Sequence, residues 1–422
     1  MLTVSSADKY LAVVKEVELC CLTVHMGNLE LDRLERHFML RLKFNSFTVV
    51  LVVLLKCFCG DLQAGETMRN VIVCAEKGKF CGWPANNGVW IWDGKEILVG
   101  LSIGDFIEHD GHNMIRATLR SVNCRSLDGG QTWTLEDPEC FVGDGGDRRN
   151  VPDELEFTNP GFAMRIGAVG YWASEEKRGE LFFSSDRGRT WIGPCAIKGL
   201  LDHPELEGVE LTSRTDYQVI GPSECLLFCS ARNSKKWKSD RTFVARSIDG
   251  GKSFEFVNWI VRPTDPYRAV MPSSVRCSDN MLVAAIRRRY VGGSKHECWI
   301  DLCVSEDNGN VWSFLSRGSE TGVHNGNPPG LVSLKDGRLC LVYGNRSKRQ
   351  MLARLSSDQG RNWGKEVVLR DDYQTDSFND ADLGYPRVVQ RADGKLVAIY
   401  YWATKENPHH HIAGTIWEAN DY

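Results

Sequence analysis

Two stretches of the chain alternate apolar and polar positions around an Asp-Gly pair. Between Pro329 and Arg346 the residues Leu331, Val332 and Leu334 lead into Asp336-Gly337, and Leu339, Leu341 and Tyr343 lead out. The same layout recurs from Tyr385 to Tyr400 about Asp393-Gly394. Side chains along a strand point alternately to opposite faces, and Asp-Gly suits a tight turn, so each stretch predicts a β-hairpin. An opening hairpin is expected over Asn87–Gly104, and no long helix is required anywhere.

A second pattern spaces these units. Ser126, Asp128, Gly130, Thr132 and Trp133 form S-x-D-x-G-x-T-W, as do Ser184, Asp186, Gly188, Thr190 and Trp191. Looser copies run over Ser247–Phe254, Ser305–Trp312 and Ser356–Trp363. A recurrence of roughly 50 to 60 residues means stacked supersecondary units. Within each copy, Ser and Asp can bond nearby backbone and Gly takes the left-handed conformation that a tight turn requires. The closing aromatic is expected to pack between sheets. The unit after Tyr385 runs to Thr415-Ile416-Trp417 without such a turn. That is expected if Asn70–Cys74 supplies its outermost strand and closes a ring, leaving no exposed sheet edge.

The N-terminal part is of another kind. Arg41 and Lys43 precede the apolar run Phe47–Leu55, and Leu62-Gln63-Ala64 follows. A basic stretch, a short apolar core and a small residue make the layout of a secretory signal peptide, and the run is short for a membrane span. Met39 stands just before it, so residues 1–38 read as a non-native or disordered extension from an upstream start, 39–64 as the signal peptide or an uncleaved anchor, and 68–422 as the folded domain. Lys56 before Cys57 spoils a lipoprotein cleavage site. The expected location is secreted or periplasmic.

Composition narrows the chemistry. The formal charge of the 422 residues is −4, with no basic bias toward nucleic acid. Thirteen Trp and 40 Gly suit a β-rich fold with many turns. The 15 Cys follow no zinc spacing, so neither a metal nor another cofactor is expected. Beyond the N-terminal segment the number of Cys is odd, which leaves at least one thiol without a partner in its own chain. His409-His410-His411 reads as a loop, since consecutive side chains of a strand diverge.

The five turns resemble the Asp boxes of the sialidase superfamily. The resemblance implies an all-β, six-bladed β-propeller of four-stranded antiparallel blades, with the boxes at the outer rim, away from substrate. It also implies hydrolysis of a terminal sialic acid: an arginine triad grips the sugar carboxylate, a Tyr activated by an acidic residue is the nucleophile, and an Asp is the general acid. An uncharged Tyr suits an anionic sugar, which would repel a carboxylate nucleophile, and so departs from the two-carboxylate rule.

Residue by residue, Asp216-Tyr217-Gln218-Val219 ahead of Ser230-Ala231-Arg232-Asn233 is similar to the family segment Glu-x-Gln-Val with its Arg-Asn pair. Asp216 then stands for the activating glutamate and Arg232 for a triad arginine. Ser273-Ser274-Val275-Arg276 resembles the Ser-x-x-Arg strand, which makes Arg276 another. Tyr385 falls where the nucleophile begins the last hairpin, and Asp110 is placed like the general acid, with Asp105 as second choice. The family's Arg-Ile-Pro is replaced by Ala85-Asn86-Asn87-Gly88, which puts Asn87 at the sugar and leaves one arginine missing. Arg165, Arg214, Arg346 and Arg387 could fill the gap, with Arg346 and Arg387 retained as substrate-binding residues. Arg287-Arg288-Arg289 reads as a solvated strand end. The expected partner is a glycan or glycoconjugate, with no nucleic acid and no membrane contact beyond an uncleaved leader. A non-catalytic glycan-binding propeller and an enzyme for uronic-acid polysaccharides are the alternatives.

Overall fold

The computed structural model describes residues 68–108, 112–138, 148–167, 179–233, 239–290, 297–323, 325–375 and 382–419. The expectations for residues 1–38, the signal peptide and Asp110 therefore lie outside the described residues.

Six antiparallel sheets follow one another along the chain as the blades of a β-propeller. Blades four, five and six have four strands each. Blades one and three have five because the inner strand is split. Lys79–Gly82 and Val89–Trp92 both pair with Glu96–Asp105, and Glu210–Leu211 and Tyr217–Val219 both pair with Cys225–Arg232. In blade two the described strands are three, Ala163–Gly167, Glu180–Ser184 and Ile192–Ala196. Between the two inner strands of blade one, Pro84–Asn87 makes a single helical turn that ends at Gly88.

Ring closure takes the expected form. Met68–Cys74 pairs with His411–Trp417 as the outermost strand of blade six, from Met68 opposite Trp417 to Cys74 opposite Ile412. The ten described cysteines are free thiols, and the Sγ atoms of Cys74 and Cys81 lie 3.8 Å apart beside the closure.

The middle strands are buried on both faces, which the alternating pattern did not lead one to expect. In Leu282–Ile286 every residue is buried, yet the period of two persists in what each touches. Leu282, Ala284 and Ile286 pack with Leu226, Phe228 and Val244 of blade three, whereas Val283 and Ala285 pack with Leu339, Leu341 and Tyr343 of blade five. A strand flanked by two neighbouring blades has no solvent face, so its polar positions can be exchanged for apolar ones.

All five repeated turns are built alike. Asp128 Oδ1 accepts from Gln131 N, Thr132 N and Ser126 Oγ, and Trp133 Nε1 donates to Gly130 O at 2.9 Å. The same bonds hold Asp186, Asp249, Asp307 and Asp358 to their serines. Register puts these turns at one end of each blade. In blade five Leu339 faces Ser356 at the turn, and Asn345 faces Gln350 at the other end. The resemblance to the Asp-box family implies candidate chemistry at that other end.

Candidate functional site

Tyr385 opens the inner strand of blade six with a left-handed backbone, φ +53°, where the ladder is irregular between Gly384 and Arg387. Asn327 holds it there by accepting from Tyr385 N at 2.9 Å. A side chain is not tolerated one residue earlier: Gly384 has φ +105°, and a Cβ on it would meet Asn327 Oδ1 at 2.0 Å. A second non-glycine residue, Met271 on the inner strand of blade four, has φ +55° at a comparable irregularity. Such backbone strain collects where the surrounding structure aims a side chain for use.

The Tyr385 hydroxyl accepts from Arg287 Nη1 at 3.2 Å, and that guanidinium lies 5.5 Å from the ring centroid. Arg287 is itself fixed by donating to the carbonyls of Asn325 and Gly326. Arg346, at the end of the second strand of blade five, donates to Tyr401 Oη at 3.3 Å and to Asp382 at 3.4 Å. The Tyr401 ring in turn lies 5.7 Å from that of Tyr385. Burial alone would raise the phenol, but Arg287, Arg346 and His112 outweigh it and draw Tyr385 down to about 7. A phenolate is therefore accessible at neutral pH.

Asp382 organises the groups around Tyr401 and Arg346. It is fully buried, accepts from Tyr401 Oη and Arg346, and lies 2.6 Å from His112 Nδ1. Its carbonyl is contacted by His410 Nε2 at 2.6 Å and accepts from Tyr373 Oη at 3.1 Å. Burial would raise this carboxyl, yet His112, His410 and Arg346 keep it well below the usual range. For His112 burial opposes the charged ring, but Asp382 prevails and raises the imidazole above its ordinary value. The His112 side chain remains 31% exposed, so a proton held there can reach a ligand.

The other sequence candidates are placed differently. Asp216 makes its hydrogen bonds with groups other than the Tyr385 hydroxyl. It accepts from Ser274 Oγ at 2.5 Å and Ser274 N, and Arg387 Nη1 donates to it at 3.2 Å. Arg387 also donates to the carbonyls of Ala85 and Thr215, so this pair ties blades one, three, four and six together at the axis. Asp216 and Arg387 thus bond to each other, where the resemblance implied an activating base and a sugar ligand. Asn87 is buried and accepts from Arg165 Nη2 at 2.8 Å and from Ser121 Oγ. Arg214 donates to Asn86 Oδ1 at 2.8 Å. Arg276 stands opposite Leu282, which faces Ser305 of the repeated turn, and it donates to Asp279 O and Asn308 Oδ1. It stands at the end of the blade that carries the repeated turn. Arg232 is at the correct end, 3.7 Å from Asp240. Asp105 is engaged by Lys79 at 2.6 Å.

Tyr385 and Arg346 are thus brought together, while Arg287, His112, Asp382 and Tyr401 were missed. The signal for Arg287 was present in Arg287-Arg288-Arg289. Alternation sends its first and third members to one face, so the run could not be solvated as a unit. Nothing local marks Asp382.

A family model described as a BNR repeat-like domain matches residues 162–398. No curated protein matches the chain. Among solved structures, a protein of unknown function from Dyadobacter fermentans is 20% identical, covers 84% of this chain and 100% of its own, and superposes with a TM-score of 0.61. An α-L-arabinanase of Penicillium chrysogenum complexed with arabinobiose is 13% identical with coverage of 82% and 97% and a TM-score of 0.55. A Hadza microbial sialidase is 15% identical with coverage of 81% and 66% and a TM-score of 0.54. At these identities the likeness establishes the fold. With its five Asp boxes and six blades, the chain belongs to the BNR repeat-like family, as a propeller of the sialidase-like kind.

Proposed function

We propose that the protein is an exported glycoside hydrolase acting on a terminal acidic sugar, sialic acid or a uronic acid, with Tyr385 as nucleophile. The observation that carries this reading is the Tyr385 phenol, bonded to Arg287 and drawn down to about 7. Here the neighbouring cations do what a carboxylate partner does in the family: they populate the nucleophilic form. The phenolate attacks the anomeric carbon while His112, held by Asp382, gives its proton to the leaving oxygen. Water activated by the neutral His112 then cleaves the glycosyl-tyrosine bond, which restores the phenolate and the imidazolium. Arg346 and Arg287 supply the charge that selects an acidic sugar. The glycosidase neighbours support the reaction class, and the leader-like segment supports export.

A binding-only reading is favoured by one observation: the bond at the Tyr385 hydroxyl comes from Arg287, with no carboxylate in contact among the described residues. Fluorogenic sialosides, uronides and neutral arabinosides assayed on the purified protein separate the two readings. Turnover of an acidic glycoside alone is expected; glycan binding without turnover of any of them contradicts the enzyme.

Two outcomes follow from the same groups. Arg346→Gln is expected to raise KM for the acidic glycoside about ten- to a hundredfold, the value of one lost charge-assisted bond. A neutral glycoside should show no such change. In the pH profile of kcat/KM the acidic limb should fall as pH drops through about 7, because protonation removes the phenolate. The alkaline limb belongs to His112 and should lie above the ordinary histidine value.

A further inference from the structure

One turn reaches both partners in the bond between Arg287 and Tyr385. Asn325, Gly326 and Asn327 lie between the outermost strand of blade four, Ser313–Gly322, and the inner strand of blade five, Gly330–Ser333. Arg287 Nη2 donates to Asn325 O at 2.7 Å and to Gly326 O at 3.1 Å. The next residue, Asn327, accepts from Tyr385 N at 2.9 Å through Oδ1. Three consecutive residues therefore hold both the guanidinium and the backbone that carries the phenol, and the bond joining those two groups is 3.2 Å long. Asn325 and Gly326 are both left-handed, with φ +76° and +61°, and a Cβ on Gly326 would come within 2.5 Å of Cys298 Cβ and Thr321 Oγ1. Asn327 is fully buried between two glycines. A Cβ on Gly344 would meet its Nδ2 at 2.8 Å, and one on Gly384 would meet its Oδ1 at 2.0 Å.

Nδ2 of Asn327 is buried without a hydrogen-bond partner among the described residues. A buried amide left half satisfied costs stability, so stability does not explain an asparagine here. The bond to Tyr385 N does, because a non-glycine residue keeps φ +53° only where its surroundings impose it. We propose that Asn327 is a positioning residue for the reaction: it holds Tyr385 in the left-handed conformation while Asn325 and Gly326 hold Arg287, and the turn thereby sets the aim of the nucleophile. The inference rests on the reading of Tyr385 as nucleophile. The phenol is faced by Arg287 from blade four, Arg346 from blade five, Tyr401 from blade six and His112 from the segment between the second and third strands of blade one, with Asp382 bonded to the last three. Burial raises the phenol and the three cations bring it down to about 7, so a phenol that swings away from Arg287 should ionise at higher pH.

The test compares Asn327→Ala, which deletes the acceptor, with Asn327→Asp, which keeps an oxygen in its place. On the full chain the phenol is titrated by its ultraviolet absorbance, as the difference from Tyr385→Phe, and kcat and KM for the acidic glycoside are measured on the plateau of the pH profile. In Asn327→Ala the phenol should titrate higher, toward the ordinary tyrosine value of about 10. Its kcat should fall about ten- to a hundredfold with KM nearly unchanged, since a displacement of about an ångström at the attacking atom costs that much. Asn327→Asp should bring kcat back to within about fivefold of the parent. An unmoved titration, a loss carried by KM, or an equal loss of kcat in both variants overturns the positioning role. So does an Asn327→Ala chain that does not fold, because the asparagine is then structural. A parent phenol that titrates at the ordinary value overturns both this role and the nucleophile reading. A phenol that titrates and moves as stated, in a protein that turns over no glycoside, overturns the nucleophile reading alone.

Discussion

Tyr385→Phe is expected to abolish turnover of an acidic glycoside while leaving its binding nearly intact. The substitution removes one oxygen and keeps the ring that packs with Ala85, Val270 and Met271. The hydroxyl it removes is the atom that receives the Arg287 bond. Loss of a nucleophile lowers kcat by roughly a thousandfold or more, because what survives is only the catalysis that the remaining groups give. Steady-state kinetics and titration calorimetry on the same preparation check this. A drop of less than tenfold in kcat would mean that water, rather than Tyr385, attacks the sugar.

The second large effect is on stability. Arg387→Met should cost about 3 to 5 kcal/mol, the usual consequence of leaving a buried charge without its partner. Asp216 is the residue left behind, still held by Ser274 but without the guanidinium. Burial, only partly offset by Arg387 and Ser274, already raises its carboxyl to about 6. Because this value lies above that of the unfolded chain, roughly 4, the folded state binds the proton more tightly. The contribution is complete below pH 4 and is lost as pH rises through 6. The Arg387→Met deficit should therefore be smaller at pH 5 than at pH 8, which urea unfolding at the two pH values measures. A deficit below about 1 kcal/mol, or one indifferent to pH, would show that the pair does not hold the axis. Asp216→Asn should leave kcat within a few-fold of the parent, in contrast to Tyr385→Phe, because Asp216 makes its contacts with Ser274 and Arg387.

Much of the fold was legible because its signals are local. Each Asp box specifies its own turn through bonds within a few residues, so Asp128 or Asp358 can be read without knowing the neighbouring blades. Ring closure was legible because Ser356–Trp363 has no counterpart after Tyr400. The site was legible only in part, because an axial cluster takes one or two residues from each of several blades. Tyr385 and Arg346 announce themselves at the ends of strong hairpins. Asp382 and His112 lie 270 positions apart and meet only when the ring closes. The Asp216 assignment placed the family's acid on blade three, whereas the residue that meets Arg287 from the inner strand of blade four is Met271, whose Sδ lies 3.4 Å from Nη1. Motif order carried that assignment, whereas the hydrogen bonds of Asp216 go to Ser274 and Arg387.

Tyr385 is expected to become covalently glycosylated during turnover. Incubation with a fluorinated acidic glycoside, whose fluorine slows the second step, followed by proteolysis and mass spectrometry of the peptides, tests it most directly. The sugar mass is expected on Tyr385 in the parent protein and nowhere in Tyr385→Phe. A sugar found on another residue, or turnover of the glycoside with no labelled tyrosine, would contradict the account.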